Sequence, residues 1–325
     1  MPLLSVKDLS VAITRGADSF PAVDAVSFDI EPGETVCIAG ESGCGKSLTA
    51  LGIMGLLPEA ARVTGGQAIL GGEDLLSLPQ AEMRRVRGER AAMIFQEPMT
   101  SLNPLMKIGR QVTEPLFLHG RRDARENRRA GLQAMAAAGL PEPEKLWSMY
   151  PHQLSGGMRQ RVMIAMAFIT RPKLLIADEP TTALDAVSEG QVLRLLGELS
   201  GDTGMSVLYI SHDLGLIRRL RGRVLIMYAG RFVEEGPAES VLTHPAHEYT
   251  KGLLGAVPTK DGKGKPLANI PGKVPAVTDA KAACPFMPRC PSRGKICAEM
   301  PPPRVAAGKR GVWCHFPDAE GVRGL

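Results

Sequence analysis

The sequence has few aromatic residues, no long apolar run and no basic segment at its start. Aromatic residues make up 4% of the 325 residues, and the longest apolar candidate, residues 162–169, is far shorter than the roughly 20 residues that span a bilayer. Because no basic region precedes an apolar stretch, the N-terminus does not resemble an export signal. We therefore expect a soluble, cytoplasmic protein without a fused membrane domain.

The sequence also lacks a large excess of either charge, since 39 Lys and Arg residues against 34 Asp and Glu residues give a net charge of only +5. The most basic run, residues 121–129, alternates with acidic residues on a predicted helix and contains no aromatic side chain that would stack on a base. A solvated or membrane-proximal face explains this run better than a nucleic-acid site. We expect no nucleic-acid partner.

The most informative segment is a glycine-rich stretch between an apolar run, residues 35–39, and a helix-compatible run that extends to residue 57. Its members are Gly40, Glu41, Ser42, Gly43, Cys44, Gly45, Lys46 and Ser47. In this context the pattern G-x-x-x-x-G-K-S/T binds phosphate through inward-pointing backbone N–H groups and the positive end of the following helix. Lys46 is expected to reach the terminal phosphates and Ser47 to ligate Mg²⁺. An ordinary turn is the alternative, but the lysine and serine in register favour a site for a nucleoside triphosphate.

The apolar patterns divide the chain into an α/β frame with a helical block inside it. Gly139 and Pro141 indicate where the predicted helix over residues 124–138 ends. The predicted strands cover residues 3–13, 22–30, 35–39, 67–70, 91–95, 174–177, 207–210, 224–227 and 232–234, and the predicted helices cover 108–118 and 124–138. We expect one domain over residues 1–256, with a helical subdomain at about 99–170, and a Pro-, Gly- and Lys-rich tail over 257–325.

An apolar strand that ends in two acids supplies a second part of a catalytic site. Asp178 stands where a strand edge beside a phosphate loop holds Mg²⁺, and Glu179 follows it. Glu179 is expected to face the γ-phosphate and polarise the attacking water. An ordinary acidic turn is the alternative for these residues taken alone.

Another turn of backbone donors lies at Ser155, Gly156 and Gly157, just before a predicted helix. One molecule has no use for a second phosphate-binding turn in the same site. Two copies that face each other head to tail would each lend this turn to the other's nucleotide. The motif therefore predicts a protein that works as a pair of nucleotide-binding subunits.

These features make the chain resemble the nucleotide-binding subunits of ATP-binding cassette (ABC) transporters. The segments that carry the resemblance occur in the family's order: residues 40–47, Gln96, 154–160, 174–179, 182–185 and 211–213. The resemblance implies a RecA-like P-loop NTPase core with an antiparallel β subdomain and an inserted helical subdomain, followed by an irregular Cys-rich C-terminal tail. It also implies ATP hydrolysis with Mg²⁺.

Residue roles follow from the same resemblance. Gln96 resembles the glutamine that touches Mg²⁺ and water and couples the site to the membrane subunits. His212 resembles the switch histidine that contacts the γ-phosphate, and Asp185 the residue that links the two sites of the dimer. The family also stacks an aromatic ring on adenine, and here Phe20 is the candidate, with Ala17 as the alternative occupant of that position.

Cys44 lies inside the predicted phosphate loop. A small filler is the simpler interpretation of this residue. A positive environment would lower the pKa of its thiol, so we expect alkylation that ATP prevents.

Three segments look like the oligopeptide/dipeptide branch of these transporters: residues 95–104, 244–250 and 284–291. This likeness implies a dipeptide-type importer subunit, with nickel and glutathione importers as alternatives. It implies a second ABC ATP-binding subunit, two membrane permease subunits and an external substrate-binding protein as partners, at the cytoplasmic face of the inner membrane. A soluble ABC ATPase is the rival, but the chain has neither a second cassette nor a coiled-coil insertion. A module that binds ATP without hydrolysing it would lack Glu179 or His212.

The tail holds four cysteines within 31 residues: Cys284, Cys290, Cys297 and Cys314. Disulfides are improbable in a reducing compartment, and four thiolates suit either Zn²⁺ or an iron–sulfur cluster. The C-x₂₋₄-C pairs of structural zinc sites are missing here. The resemblance to the peptide-importer branch implies a 4Fe-4S cluster, with Zn²⁺ and unliganded thiols as alternatives.

Overall fold

A computed structural model describes residues 1–16, 18–96, 101–181, 186–220, 222–257, 269–274 and 283–323. The chain folds into two compact units. The helical unit comprises Met1, Glu31–Glu34 and Ser77–Tyr209, and the sheet unit comprises Pro2–Ile30, Thr35–Leu76 and Ile210–Leu325. Each unit therefore draws on separate parts of the sequence.

The strands and helices are numbered in chain order. The strands are β1 (Leu4–Arg15), β2 (Asp18–Ile30), β3 (Thr35–Ala39), β4 (Ala61–Leu70), β5 (Glu73–Asp74), β6 (Ala91–Ile94), β7 (Leu174–Asp178), β8 (Ser206–Ser211), β9 (Arg223–Tyr228), β10 (Arg231–Pro237), β11 (Arg304–Ala307) and β12 (Arg310–Trp313). The helices are α1 (Lys46–Ile53), α2 (Gln80–Glu89), α3 (Ile108–Leu118), α4 (Ala124–Ala137), α5 (Pro143–Leu146), α6 (Gly156–Phe168), α7 (Ala186–Thr203), α8 (Leu214–Leu220), α9 (Ala238–Thr243), α10 (Glu248–Gly255), α11 (Ile296–Glu299) and α12 (Ala319–Arg323).

The sheet unit contains two sets of strands. One is an antiparallel sheet of order β2-β1-β4-β5, and the other runs β11-β12-β10-β9-β3. In the second set β3 and β9 are parallel, and Val36, Cys37 and Ile38 of β3 are fully buried. An apolar strand covered on both faces is typical of a parallel sheet, and it fixes the position of the loop that follows β3.

The helical unit combines short parallel strands with a bundle of helices. Its strands have the order β8-β7-β6, and β6 pairs in parallel with β7. Ile108, Val112 and Leu116 lie one helical turn apart on α3 and are buried, so this helix packs through a single apolar face.

The tail is not irregular throughout, which corrects the expectation from its composition. Strand β12 pairs with β10 through Val312 and Glu234, and β11 extends the sheet beyond β12. The guanidinium of Arg310 on β12 donates to Glu234 Oε1 over 2.6 Å, and both side chains are buried. Short strands of this kind form because they pair with strands that are distant in sequence. Local composition cannot predict such pairing.

The remaining predicted elements agree closely with the structure. Strand β3 and helix α3 have the predicted bounds, and β4 begins six residues earlier than expected, at Ala61. Helix α1 ends at Ile53 rather than near residue 57, because Gly55 turns the chain with a positive φ of 60°. Among the described residues, no helix has the length and hydrophobicity to cross a membrane.

Candidate nucleotide-binding site

The glycine-rich loop connects β3 to α1 in the sheet unit. Gly40 and Gly45 have positive φ values of 156° and 109°. A Cβ at Gly40 would lie 2.2 Å from the carbonyl oxygen of Met227, and one at Gly45 would lie 2.7 Å from that of Ala22. Only glycine fits at these two positions, so the backbone is free to form the phosphate cradle that the motif predicts.

Lys46 begins α1, and its ammonium group lies over the loop. The side chain is 4% exposed, and its Nζ donates to the carbonyl oxygens of Gly40, at 2.9 Å, and Glu41, at 3.0 Å. These bonds hold a positive charge at the start of a helix, where phosphate oxygens can accept the same donors. Ser47 follows on the first turn of α1 and is half-buried.

The expectation that Cys44 has a low pKa is wrong. The side chain is 1% exposed, and burial raises the pKa of its thiol, although the charge of Lys46 acts in the opposite direction. A buried neutral thiol is a poor nucleophile. Cys44 is therefore a small filler inside the loop, and alkylation that depends on nucleotide is no longer expected.

In the helical unit, two candidate catalytic residues follow neighbouring strands. Residues Ile94 of β6 and Ala177 of β7 lie side by side in a parallel register. Gln96 and Glu179 each come two residues later, and Gln96 Nε2 donates to Glu179 Oε2 over 3.1 Å. The parallel register thus brings together two residues that are 83 positions apart.

Asp178 and Glu179 have different environments although they are adjacent. Asp178 is the last residue of β7 and is 4% exposed, whereas Glu179 is half-buried. Glu179 has a φ of 44°, a left-handed conformation that is uncommon outside glycine. Such strain is found most often at functional sites, and here it turns the glutamate away from the strand direction.

The turn that the sequence predicts as a second phosphate-binding site caps α6. Ser155 is the N-cap residue, and its Oγ accepts a hydrogen bond from the backbone N–H of Met158 over 3.3 Å. Ser155 and Gly156 are exposed, and a Cβ at Gly156 would meet no atom within 4 Å. The helix therefore presents its N-terminal backbone to open space, as a half-site for another molecule requires.

The remaining candidates are spread over the chain. His212 is an exposed residue directly after β8, in the sheet unit. Phe20 on β2 is 37% exposed and is therefore not a core residue. Its strand also contains Ala22, whose carbonyl oxygen approaches Gly45 of the phosphate loop. Ala17, segment 97–100 and segment 182–185, which includes Asp185, lie outside the part of the chain that the structure describes.

Sequence reasoning missed two side chains that bind the phosphate loop. The backbone N–H of Glu41 donates to the hydroxyl of Tyr249 over 2.9 Å, and the Glu41 carboxylate accepts two hydrogen bonds from Arg289, at 2.8 and 3.1 Å. These partners are 208 and 248 residues away in sequence, so no local pattern could reveal them.

The four tail cysteines share one neighbourhood. Cys284 and Cys297 are buried, and the backbone N–H of Cys284 donates to the carbonyl of Cys297 over 2.8 Å. Burial raises the pKa of Cys314 to about 11, and the other three thiols add to this rise. The thiols are thus within electrostatic range of one another. Within the described ranges, however, no three His, Cys, Asp or Glu side chains are arranged as a ligand set for a metal ion.

Two segments of the chain match models of known protein families. Residues 23–182 match the family model described as ABC transporter, and residues 233–297 match the model described as oligopeptide/dipeptide transporter, C-terminal region. The first match contains the phosphate loop and the two acids at the end of β7, Asp178 and Glu179. The second contains Glu234, Tyr249 and Arg289.

Full-length relatives show the same likeness. The oligopeptide transport ATP-binding protein OppD of Escherichia coli (strain K12) is 46% identical over 92% of this chain and 89% of its own length. The dipeptide transport ATP-binding protein DppD of Bacillus subtilis (strain 168) is 46% identical over 97% of this chain and 95% of its own.

A solved structure supports the fold. The ATP-binding cassette MJ0796, in a dimeric post-hydrolysis state bound to ADP and Pi, is similar with a TM-score of 0.65 and 29% sequence identity. The match covers 72% of this chain and 98% of the cassette.

Proposed function

The chain belongs to the family of ABC transporter ATP-binding proteins, and we propose that it hydrolyses ATP to drive the import of dipeptides or oligopeptides. The observation that carries the proposal is the presence, in one chain, of a phosphate loop and a C-terminal region of the oligopeptide/dipeptide type. The first part supplies ATP chemistry. The second is the region described for oligopeptide/dipeptide transporters.

The proposed nucleotide site begins with the phosphate loop. Lys46 and the backbone of Gly40–Ser47 bind the phosphates, and His212 contacts the γ-phosphate. Ser47, Asp178 and Gln96 supply the oxygen ligands that Mg²⁺ prefers, and the buried position of Asp178 at a strand end suits this role. When bound, Mg²⁺ neutralises charge that develops on the transferred phosphoryl group.

Glu179 is the proposed general base for hydrolysis. Its carboxylate is held by the Gln96 amide, so its oxygens have a fixed direction before a water molecule is activated. The backbone donors at Ser155, Gly156 and Gly157 bind the nucleotide of the opposing subunit, and Asp185 links the two sites. ATP thus joins two ATP-binding subunits, and hydrolysis releases them.

The proposed assembly contains four further proteins in addition to this chain. A second, distinct ABC ATP-binding subunit completes the pair, two permease subunits convert its closure into alternating access, and an external substrate-binding protein delivers the peptide. The support is that relatives along the whole chain are named as ATP-binding proteins of peptide transport. The expected position is peripheral, at the cytoplasmic face of the inner membrane.

The tail thiols are the proposed ligands of a 4Fe-4S cluster, with Zn²⁺ as the alternative. The support is chemical: the four thiols lie in one region, close enough that neighbouring thiols help to raise the pKa of Cys284 and of Cys314, and a metal would favour the deprotonated forms. Iron and sulfide analysis of anaerobically purified protein tests this, together with absorbance at about 400 nm. A colourless protein that contains stoichiometric zinc would contradict the cluster.

Transport itself is tested in vesicles that contain the chain with its neighbouring permease and ATP-binding subunits. We expect ATP-dependent uptake of a labelled dipeptide in the presence of the binding protein, and none with Glu179→Gln. Uptake of nickel or glutathione in place of peptides would favour those importers. ATP hydrolysis by a chain that never co-purifies with permeases would favour a soluble ABC ATPase.

A further inference from the structure

Tyr249 of α10 and Arg289 of the C-terminal tail both bind Glu41 of the phosphate loop. All three polar groups of this glutamate are used: its N–H donates to the Tyr249 hydroxyl, its carbonyl accepts from Lys46 Nζ, and its carboxylate accepts from Arg289. Glu41 follows the first glycine of the loop directly. Contacts that hold Glu41 in place therefore also hold the backbone of the loop that would bind phosphate.

Arg289 is buried in the tail and donates four hydrogen bonds, two of them to Glu41. Its side chain is 4% exposed, and Nε donates to Pro271 O over 3.0 Å while Nη2 donates to Ile270 O over 3.1 Å. The guanidinium also lies 5.7 Å from the ring centroid of Tyr228. The bond to Glu41 strongly raises the pKa of Arg289, so this charge is permanent.

An aromatic cluster holds the two partners of Glu41, Tyr249 and Arg289, in place. The ring of Phe286 packs edge-on against Tyr228, with centroids 5.2 Å apart, and lies 5.5 Å from Tyr249. Arg289 lies in the 3₁₀ turn Met287–Arg289, immediately after Phe286. The cluster leaves little freedom to the hydroxyl and guanidinium that bind Glu41.

The charge of Glu41 is unfavourable for the loop's task. A carboxylate in a phosphate cradle repels an incoming triphosphate unless another charge compensates it. The bidentate bond from Arg289 supplies that compensation and directs both carboxylate oxygens toward the tail.

We propose that Arg289 is a positioning residue for the nucleotide site, which acts by neutralising Glu41 and holding the start of the phosphate loop. The inference rests on the proposed function, because it assigns a tail residue to ATP binding. Its distinguishing consequence is that the harm done by losing Arg289 depends on the charge of Glu41.

The test uses the full chain and isothermal titration with MgATP. We expect Arg289→Gln to raise the Kd by about tenfold or more, since a charged hydrogen bond contributes roughly 1.5–3 kcal/mol. In the double variant Arg289→Gln/Glu41→Gln, the Kd should return to within about threefold of Glu41→Gln alone. Arg289→Lys, which keeps the charge, should bind more tightly than Arg289→Gln. The control is Arg304→Ala, which removes a tail arginine paired with Glu235 on the surface and should leave the Kd unchanged.

Thermal melting of each variant separates binding from folding. Should Arg289→Gln melt early, the double variant remains informative because it contains no unpaired carboxylate. A Kd more than about tenfold weaker than that of Glu41→Gln would then mean that Arg289 acts without Glu41, and the inference would be overturned. An unchanged Kd for Arg289→Gln would overturn it as well. Failure of the unmodified chain to bind MgATP would instead contradict the proposed function.

Discussion

Gln96 and Glu179 form a hydrogen bond across the ends of two parallel strands, with 3.1 Å between the amide nitrogen and the carboxylate oxygen. The bond joins a residue proposed to ligate Mg²⁺ with the residue proposed to activate water. Since each follows its strand by two positions, the register of β6 and β7 sets the geometry of the pair. The proposed catalytic glutamate is therefore oriented by the sheet and not by its own loop alone.

The first prediction concerns Glu179→Gln. The amide can still accept a hydrogen bond from Gln96, so the local geometry should be preserved while the general base is lost. We expect the Kd for MgATP to stay within about threefold and the rate of phosphate release by the assembled complex to fall about a hundredfold or more. Glu198→Gln, at an exposed position of α7, is the matched control and should hydrolyse ATP normally. Full activity in Glu179→Gln would disprove the assigned role.

The second prediction concerns Gly156→Val. Because a Cβ at Gly156 meets no atom within 4 Å, the fold should lose less than about 1 kcal/mol of stability. The larger side chain would instead cover the N-terminal donors of α6. We expect ATP-dependent pairing of the ATP-binding subunits and ATP turnover to be lost, as measured by light scattering and phosphate release.

The control for this variant is Gly197→Val on α7, where a Cβ also meets open space. Its turnover should be unchanged. Normal ATP turnover and normal pairing in Gly156→Val would contradict the proposal that two subunits share each nucleotide site.

A third prediction concerns Phe20→Ala. The exposed ring lies on the strand whose Ala22 approaches the phosphate loop, so it is well placed to stack on adenine. Stacking of a base on an aromatic side chain contributes roughly 1–3 kcal/mol, so the Kd for ATP should rise about fivefold to a hundredfold. The Kd for inorganic triphosphate should not change. Phe316→Ala, which removes a ring that is 50% exposed in the tail, is the control. An unaltered Kd for ATP would remove Phe20 from the site.

The fourth prediction is a pH dependence of stability that arises at His247. Burial lowers the pKa of this imidazole from 6.5 to about 4, and its Nδ1 accepts a hydrogen bond from the Tyr249 N–H over 3.0 Å. Below pH 6.5 the unfolded chain takes up a proton that the folded chain does not bind. Stability should therefore fall as the pH decreases from about 6.5 toward 4, by about 2 kcal/mol at pH 5.

Urea unfolding at pH 7 and pH 5 measures this effect. The variant His247→Asn keeps an oxygen that can accept the Tyr249 N–H but has no titrating group in this range. Its loss of stability between the two pH values should be smaller than that of the unmodified chain by the same amount. Equal losses in both proteins would show that His247 does not contribute.

The sequence predicted the parts of this molecule whose causes are local. The glycine positions of the phosphate loop are required by close backbone approach, and the face of α3 follows from the spacing of Ile108, Val112 and Leu116. Both causes act within a few residues, so they leave a readable pattern.

What the sequence did not reveal depends on distant partners. The bond from Arg289 to Glu41 spans 248 residues, and the strands of the tail form because β10 is available beside them. The buried state of Cys44 likewise comes from the surrounding fold, and it reversed the expected direction of the thiol pKa. Burial and long-range pairing decide these features, and neither is encoded by spacing.

The ion pair between Glu234 and Arg310 has a practical consequence for the engineering of shortened or hybrid proteins. A truncation near residue 257 would expose β10 as a free edge and leave the Glu234 carboxylate in the interior without its counter-charge. Exchanging tails between related cassettes would meet the same difficulty, unless β10 and β12 are taken from one parent. Strands β11 and β12 must therefore be transferred together with β10, the strand with which β12 pairs.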